Sequence, residues 1–358
     1  MRHAKDRRPV ITWLITGCVL IACMVVIGGI TRLTDSGLSI TEWKPIMGAL
    51  PPMDEAAWQE AFTKYKRIPE YTLKNEGMDL AGFKRIFFWE YLHRNWGRLM
   101  SLVFAIPFAV FWRRGLLEGW LMTRSIWILV GGGLVGALGW FMVASGLEKN
   151  PDVSHFRLAI HLVAAFSVFG LVLWTVVDLR DGRRRWGSDG TPAGRWVRVL
   201  LALLVLQIVY GTVPAGLDAG HMYNTWPLMN GEFMPENVRA TGNWLHDLAD
   251  HRDGVQFVHR NLAWLVAAGC VVYALRFLRA AVALASWLIG AVVLQFLLGV
   301  FTVLTQVDLV LGVLHQLGAL LLLTVILRLL HRTGTIVPTE RAREVAHVLP
   351  DPIGDRRQ

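Results

Sequence analysis

A histidine inside an apolar segment is costly unless something uses it, and this sequence repeats the arrangement four times. The string EYLHRN, Glu90 to Asn95, returns as QFVHRN, Gln256 to Asn261. In both, a histidine followed by Arg and Asn stands just inside the start of a long apolar segment, where a bilayer makes ionisable side chains expensive. A second pair of strings, AIHLVAA (Ala159 to Ala165) and VLHQLGA (Val313 to Ala319), sets another histidine near the start of a later segment. His93, His161, His259 and His315 therefore mark four segments at similar depth.

Taken singly, a membrane histidine is more often an interhelical hydrogen-bonding residue than a ligand. Repetition favours ligands, because two imidazoles across each of two bundle cores make the axial pairs of two low-spin haems. Zinc suits the pattern less, since four ligands split between two bundles leave each shell short. Arg94, Arg98 and Arg260 stand beside these histidines as two-point partners for haem propionates; interfacial anchoring is their alternative use. The two copies differ three residues before the histidine, with Glu90 in one and Gln256 in the other. Only the first half can do carboxylate chemistry there. On a helix Glu90 shares a face with His93 about one turn away, where it can accept a proton or stabilise positive charge at a macrocycle edge. A salt bridge to Arg94 is the competing reading. The remaining histidines, His3, His331 and His347 in the termini and His155, His221, His246 and His251 in loops or at helix starts, read as structural or solvated.

Positioning these residues requires a membrane. The chain has 358 residues, 54% of them hydrophobic, too many for an ordinary soluble protein. Its net charge of +9 falls in short clusters between apolar runs, the pattern of cytoplasmic loops, so nucleic acid is not an expected partner. The three cysteines lie within apolar runs with no zinc or disulfide spacing. Eight stretches are long enough to span, near residues 10–30, 88–112, 126–146, 156–177, 197–217, 255–275, 283–305 and 309–330. The basic amino terminus, Arg113/Arg114/Arg124, the Arg180 to Arg195 cluster, Arg276/Arg279 and the tail share one side, predicting both termini in the cytoplasm.

The fold class predicted is an all-α integral membrane protein of eight transmembrane helices, arranged as two parallel-repeat four-helix bundles. Further echoes support the repeat: Asp35, Gly37, Trp43, Pro45 and Met47 return as Asp218, Gly220, Trp226, Pro227 and Met229, and Leu138-Gly139 as Leu298-Gly299. Residues 1–180 form the first bundle, 181–194 an Arg/Gly/Asp-rich linker of loop composition, 195–331 the second bundle, and 332–358 a polar cytoplasmic tail expected to be disordered. The loop from Thr31 to Phe87 carries an amphipathic stretch, Glu55 to Tyr65, expected as a short interfacial helix lidding the outer face. Gly131, Gly132, Gly133, Gly136 and Gly139 are expected to let helices approach closely, or else to make room for a flat macrocycle. The tryptophans, among them Trp43, Trp89 and Trp226, suit the membrane interface.

Six ordered stretches now resemble the heme A synthase family, the bacterial relatives of a mitochondrial cytochrome oxidase assembly protein. They are GGITRLTDSGLSITEWKPIMGALPP (Gly28 to Pro52), EYLHRNWGR, AIHLVAA, AGLDAGHMYNTWPLMNG (Ala215 to Gly231), VHRNLAW (Val258 to Trp264) and VLHQLGA. The resemblance implies oxidation of a methyl group of heme O, through a hydroxymethyl stage, to the formyl group of heme A. It makes His93 and His161 the frame of the substrate haem, His259 and His315 the ligands of a resident heme b, and Glu90 the catalytic carboxylate. It also implies a multi-pass bacterial inner-membrane address among membrane lipid, with heme O synthase upstream and cytochrome oxidase assembly factors as partners, and is compatible with a homo-oligomer. The electron acceptor stays unidentified. Cysteine pairs that some family members carry in their outer loops are missing from these loops, which leaves no basis for thiol control there. The competing reading is a dihaem b-type electron-transfer cytochrome; a transporter fits less well, since the ionisable groups lie near one face.

Overall fold

A computed structural model describes residues 6–43, 47–147 and 153–337. Pro45 of the repeated loop, the first five residues and the tail beyond 337 lie outside the described residues. Eight of its helices are long and apolar enough to cross a membrane: α1 (Arg8–Leu33), α4 (Leu80–Arg113), α5 (Trp120–Ala144), α6 (His155–Asp181), α7 (Pro192–Gly216), α9 (Arg252–Phe277), α10 (Val282–Leu304) and α11 (Leu309–Arg332). Three short helices, α2 (Glu55–Tyr65), α3 (Pro69–Lys74) and α8 (Trp244–Asp250), lie in the connections at one end of the spans.

Local chemistry sets where these helices begin. The Asp79 carboxylate accepts from Gly82 N at 2.7 Å, the Ser154 hydroxyl from Arg157 N, Thr191 from Gly194 N, and Asp308 from Val310 N and Leu311 N, each satisfying amide donors that a first turn leaves open. Asp79 explains why α4 starts at Leu80, well before the apolar run at Phe88. Its extra turns carry Phe83 and Phe87, which pack with Phe62 and Tyr65 of α2 into a small aromatic core. The Glu55 to Tyr65 stretch is thus the expected helix, and these contacts fasten it over the end of α4.

The same packing occurs twice. Helix α1 packs on α4 and α6, α5 on α6 and α4; correspondingly α7 packs on α9 and α11, and α10 on α11 and α9. The sets meet where α6 lies on α7 and α11, and α1 on α11. Trp174, Leu200, Leu204, Leu288, Leu322 and Ile326 are buried in the shared core, whereas Ile106, Trp127, Leu265 and Trp287 remain exposed on the outward faces of their helices. Free cysteines Cys18, Cys23 and Cys270 sit within spans, half-buried or buried.

The linker differs from expectation. Arg184–Ser188 forms a strand, β1, antiparallel to β2 (Gly334–Ile336), so the beginning of the tail is ordered against it. The Arg184 guanidinium donates to the carbonyls of Arg332 and Gly334. Beneath this ribbon the Asp178 carboxylate, fully buried, takes Arg124 at 2.7 Å, His331 at 2.9 Å and Arg184 N at 3.0 Å. His331 is therefore a structural histidine, 1% exposed, tying α11 to α6.

Candidate active site

The four candidate histidines lie on α4, α6, α9 and α11, one each. His259 and His315 face each other with ring centroids 6.3 Å apart and planes nearly perpendicular, at 87°. Two imidazoles binding one metal from opposite sides need a centroid separation of about 6 Å, given a metal–nitrogen bond of about 2.0 Å on each side. Among the described residues no three His, Cys, Asp or Glu side chains gather for a metal ion. A metal at this pair would have to bring its other ligands, as porphyrin iron does. In the other half the Nδ1–H of His161 donates to the Val135 carbonyl at 3.1 Å, which leaves Nε2 as its ligating nitrogen. The bond at His259 runs the other way, its Nδ1 accepting from the Gln207 amide nitrogen at 3.1 Å.

Each imidazole backs onto a glycine. A methyl built at Gly28 would lie 3.2 Å from Nε2 of His93, at Gly139 3.1 Å from Cε1 of His161, at Gly211 3.0 Å from Cε1 of His259, and at Gly299 2.8 Å from Cε1 of His315. All four are tighter than ordinary contact, so the rings occupy cradles that a Cβ would fill. A methyl at Gly131 would also meet a neighbour, Val168, but one at Gly132, Gly133 or Gly136 would meet nothing within 4 Å; close helix approach accounts for only part of the glycine-rich run. Adjacent Gly28 and Gly29 back onto His93 and onto Gln316 beside His315. Helix α1 is therefore a wall common to both pairs.

Glu90 is buried, 3% exposed. One carboxylate oxygen accepts from the Ser39 hydroxyl and from Ile40 N, both at 2.7 Å, and the other from Arg94 at 2.6 Å. The ion pair weighed as an alternative is present, and it belongs to a wider arrangement. Arg94 also donates to the carbonyls of Ile40 and Glu42, drawing the loop after α1 over the His93 end. In the second half Arg260 donates to the carbonyls of Tyr223, Thr225 and Leu228, and Gln256 to that of Tyr223. Both arginines thus fasten their loops through backbone oxygens. Arg98 donates to Asn95 Oδ1 at 2.6 Å. The Tyr223 hydroxyl, which donates to Asp253 at 2.6 Å, is pushed up to about 12 by burial and by that carboxylate.

Comparison with known proteins identifies the family. The cytochrome oxidase assembly protein family matches residues 11–327, a stretch containing every residue of this site. The chain belongs to that family. It is 44% identical to heme A synthase of Flavobacterium johnsoniae, covering 92% of this chain and 98% of that protein. It is 44% identical to heme A synthase of Maricaulis maris, covering 89% and 95%. With heme A synthase of Rhodopseudomonas palustris it shares 40% identity over 98% of this chain and 96% of the relative.

Within this family member, sequence reasoning missed Ser39, the glycine cradles and Gln207. The cradles left a partial signal, since the Leu138-Gly139 and Leu298-Gly299 echo was visible. Ser39 left none, because a hydroxyl in a polar loop has no pattern to stand out from. The residues at His259 and His315 fit a resident haem on two counts: the ring separation, and the space that Gly211 and Gly299 keep open.

Proposed function

We propose that this protein is a heme A synthase that oxidises a methyl group of heme O to a formyl group through a hydroxymethyl stage, for cytochrome oxidase assembly. In this reading the recurring helix packing reflects two parallel four-helix bundles with both termini cytoplasmic in a bacterial inner membrane. His93 and His161 frame the substrate, and His259 and His315 hold heme b, which when bound supplies a one-electron redox group. The observation that carries the assignment is the asymmetry of two otherwise matching halves: a buried carboxylate at Glu90 and an amide at Gln256. A pure electron-transfer cytochrome has no use for that difference.

The protein's own groups divide the work. The Glu90 carboxylate, oriented by Ser39, Ile40 N and Arg94, accepts a proton or steadies positive charge as the substrate's methyl loses electrons. Arg94 keeps the outer loop closed over the substrate side and excludes water. Arg94, Arg98 and Arg260 present guanidinium groups at the depth where propionates would lie. Heme O synthase is the expected source of substrate, and self-association is compatible with the exposed apolar helix faces.

The test is to purify the full chain from a host supplied with heme O and to extract and identify its pigments. Heme b together with heme O or heme A supports the synthase, and heme b alone supports the cytochrome. His259→Ala or His315→Ala should remove the low-spin heme b spectrum while the chain still inserts. Full retention of that spectrum by both variants would refute the second pair as ligands.

A further inference from the structure

Three aromatic rings from three elements close the seam between α9 and α10, and nothing in the function so far uses them. Trp226, from the loop after α7, lies on Trp264 of α9 with ring centroids 6.0 Å apart and planes 19° from parallel. Phe296 of α10 meets Trp264 edge-on at 4.6 Å and 61°, and Trp226 at 6.3 Å and 80°. These are the offset and edge-to-face arrangements that aromatic pairs prefer. Arg260, one turn before Trp264 on α9, holds the loop through the carbonyls of Thr225 and Leu228, on either side of Trp226. Phe296 lies one turn before Gly299, the cradle of His315.

The matching seam of the first half, between α4 and α5, is built differently. Counted from His93 and His259, Trp264 stands where α4 has Arg98. Counted from Gly139 and Gly299, Phe296 stands where α5 has Gly136, and Val292 where it has Gly132. Val292 is buried, whereas a methyl at Gly132 or Gly136 would meet nothing within 4 Å. Arg98 turns back toward the outer end of α4, donating to Asn95 Oδ1. Only the tryptophan of the loop is kept, as Trp43, and its ring faces Trp140 at 6.5 Å and the Arg94 guanidinium at 5.5 Å. Both seams lie on the side of their half away from the other half, because the halves meet through α1, α6, α7 and α11. Interfacial anchoring, the usual work of membrane tryptophans, asks each ring only to reach lipid, as the 65% exposed Trp287 does. It does not ask three rings from separate elements to close on one another.

We propose that the stack of Trp226, Trp264 and Phe296 is a lateral plug that keeps the haem of the second half resident, and that its absence from the first half leaves that half open to the bilayer for exchange of substrate and product; this rests on the synthase reading. The reaction asks opposite things of the two halves. One must take up a membrane-soluble haem and give up another at every turnover, while the other must keep its redox group through many turnovers. The histidines cannot make this distinction, since both halves have a pair. The seam can. For haem to leave the second half sideways, α9 and α10 must part, and parting them separates Phe296 from both tryptophans. In the first half the corresponding positions, Arg98 and Gly136, hold no such rings. The plug acts on the rate of release and not on ligation, so its three residues are positioning residues.

The experiment follows release of heme b from the purified full-length protein in lipid nanodiscs to excess apomyoglobin, by absorbance. It compares wild type with Phe296→Gly, which copies the first half, with Phe296→Leu, which keeps apolar bulk without a ring, and with Trp287→Leu as the control for a lipid-facing aromatic outside the stack. Phe296→Gly should release heme b roughly 10-fold or more faster, the scale set by losing two aromatic pairs, and Phe296→Leu should fall between it and wild type. Before challenge both should show the wild-type low-spin spectrum, because His259 and His315 are untouched and the change lies in the rate of loss. Trp287→Leu should release as wild type does. In the reverse direction, Gly136→Phe should slow uptake of heme O supplied in the same lipid, and unchanged uptake would overturn the open first-half seam. Wild-type release rates in both Phe296 variants would overturn the plug. So would a low-spin spectrum already lost before challenge in Phe296→Leu together with a lowered thermal midpoint, which would make the stack a packing element of the bundle. If Phe296→Gly fails to assemble, Phe296→Leu decides alone. Release is read without turnover, so a wild type that left heme O unconverted would overturn the synthase reading while the Phe296 comparison still judged the plug.

Discussion

Replacing Gly299 by alanine tests whether the glycine cradles hold the histidines at metal-binding distance. The new methyl would lie 2.8 Å from Cε1 of His315, so ring or helix must give by about 0.6 Å to reach the 3.4 Å at which ordinary contact begins. Ligand distances tolerate only about 0.2 Å. Overpacking of this kind costs about 1–3 kcal/mol, equivalent to roughly a 5- to 150-fold loss of affinity at about 1.4 kcal/mol per tenfold. Acting against it, Gly→Ala inside a helix favours the helix by about 0.8–1 kcal/mol. Haem loss should therefore be large while the fold is nearly unchanged.

Gly290 on the same helix is the control, because nothing lies within 4 Å of a methyl there. Gly290→Ala should keep full haem and gain slightly in heat resistance. The assay is heme b per protein and the low-spin spectrum of the purified variants under graded detergent challenge. Equal haem retention in Gly299→Ala and wild type, or equal loss in Gly290→Ala, would refute the cradle.

Glu90→Gln should leave heme O bound while heme A formation stops or stalls at the hydroxymethyl stage; near-normal heme A yield would remove Glu90 from the chemistry. Arg260→Lys should reduce haem retention although charge is kept, since one ammonium cannot span the Tyr223, Thr225 and Leu228 carbonyls; unchanged retention in detergent would count against this. Arg124→Ala removes a partner of the fully buried Asp178 and should cost about 3–5 kcal/mol, whereas Arg328→Ala breaks a pair about 40% exposed on both sides and should cost under about 1 kcal/mol; similar thermal midpoints for the two variants would contradict the assignment. Because Glu70 is raised from 4.5 to about 8, the folded chain keeps a proton that the unfolded chain loses, so stability should fall as pH rises from about 4.5 to 8 and level off above. Glu70→Gln should flatten that slope, with a gain on the order of 5 kcal/mol at most above pH 8. Parallel midpoint-against-pH curves for the two proteins would refute it.

The eight spans were legible because a bilayer writes itself into composition: twenty apolar residues in a row have few other uses. Their ends were less so. The start of α4 at Leu80 depends on the Asp79 cap and on aromatic residues that pack with α2, neither of which raises hydropathy. The linker strand was hidden for another reason. An arginine-rich stretch reads as loop, and its partner, Gly334–Ile336, lies about 150 residues later in the chain. Glu70 was invisible, as a glutamate in a polar loop is unremarkable until folding buries it.

The repeat made the histidines legible, and in the folded chain it also sharpens the difference between the halves. Arg94 reaches the Ile40 carbonyl and Arg260 the Tyr223 carbonyl. Counting from the echo of Asp35 and Asp218, Ile40 and Tyr223 occupy the same place in their loops. The fastening is thus shared. By the same count Ser39 corresponds to Met222, so the half that has the carboxylate also has the hydroxyl that binds it, and the half with Gln256 has neither. Two positions on separate elements, fifty-one residues apart in the first half, differ together. A single glutamate in place of glutamine could be an incidental difference between repeats. A glutamate that arrives with its own hydrogen-bond donor, on a scaffold otherwise the same, is what a division into one reactive and one redox half requires.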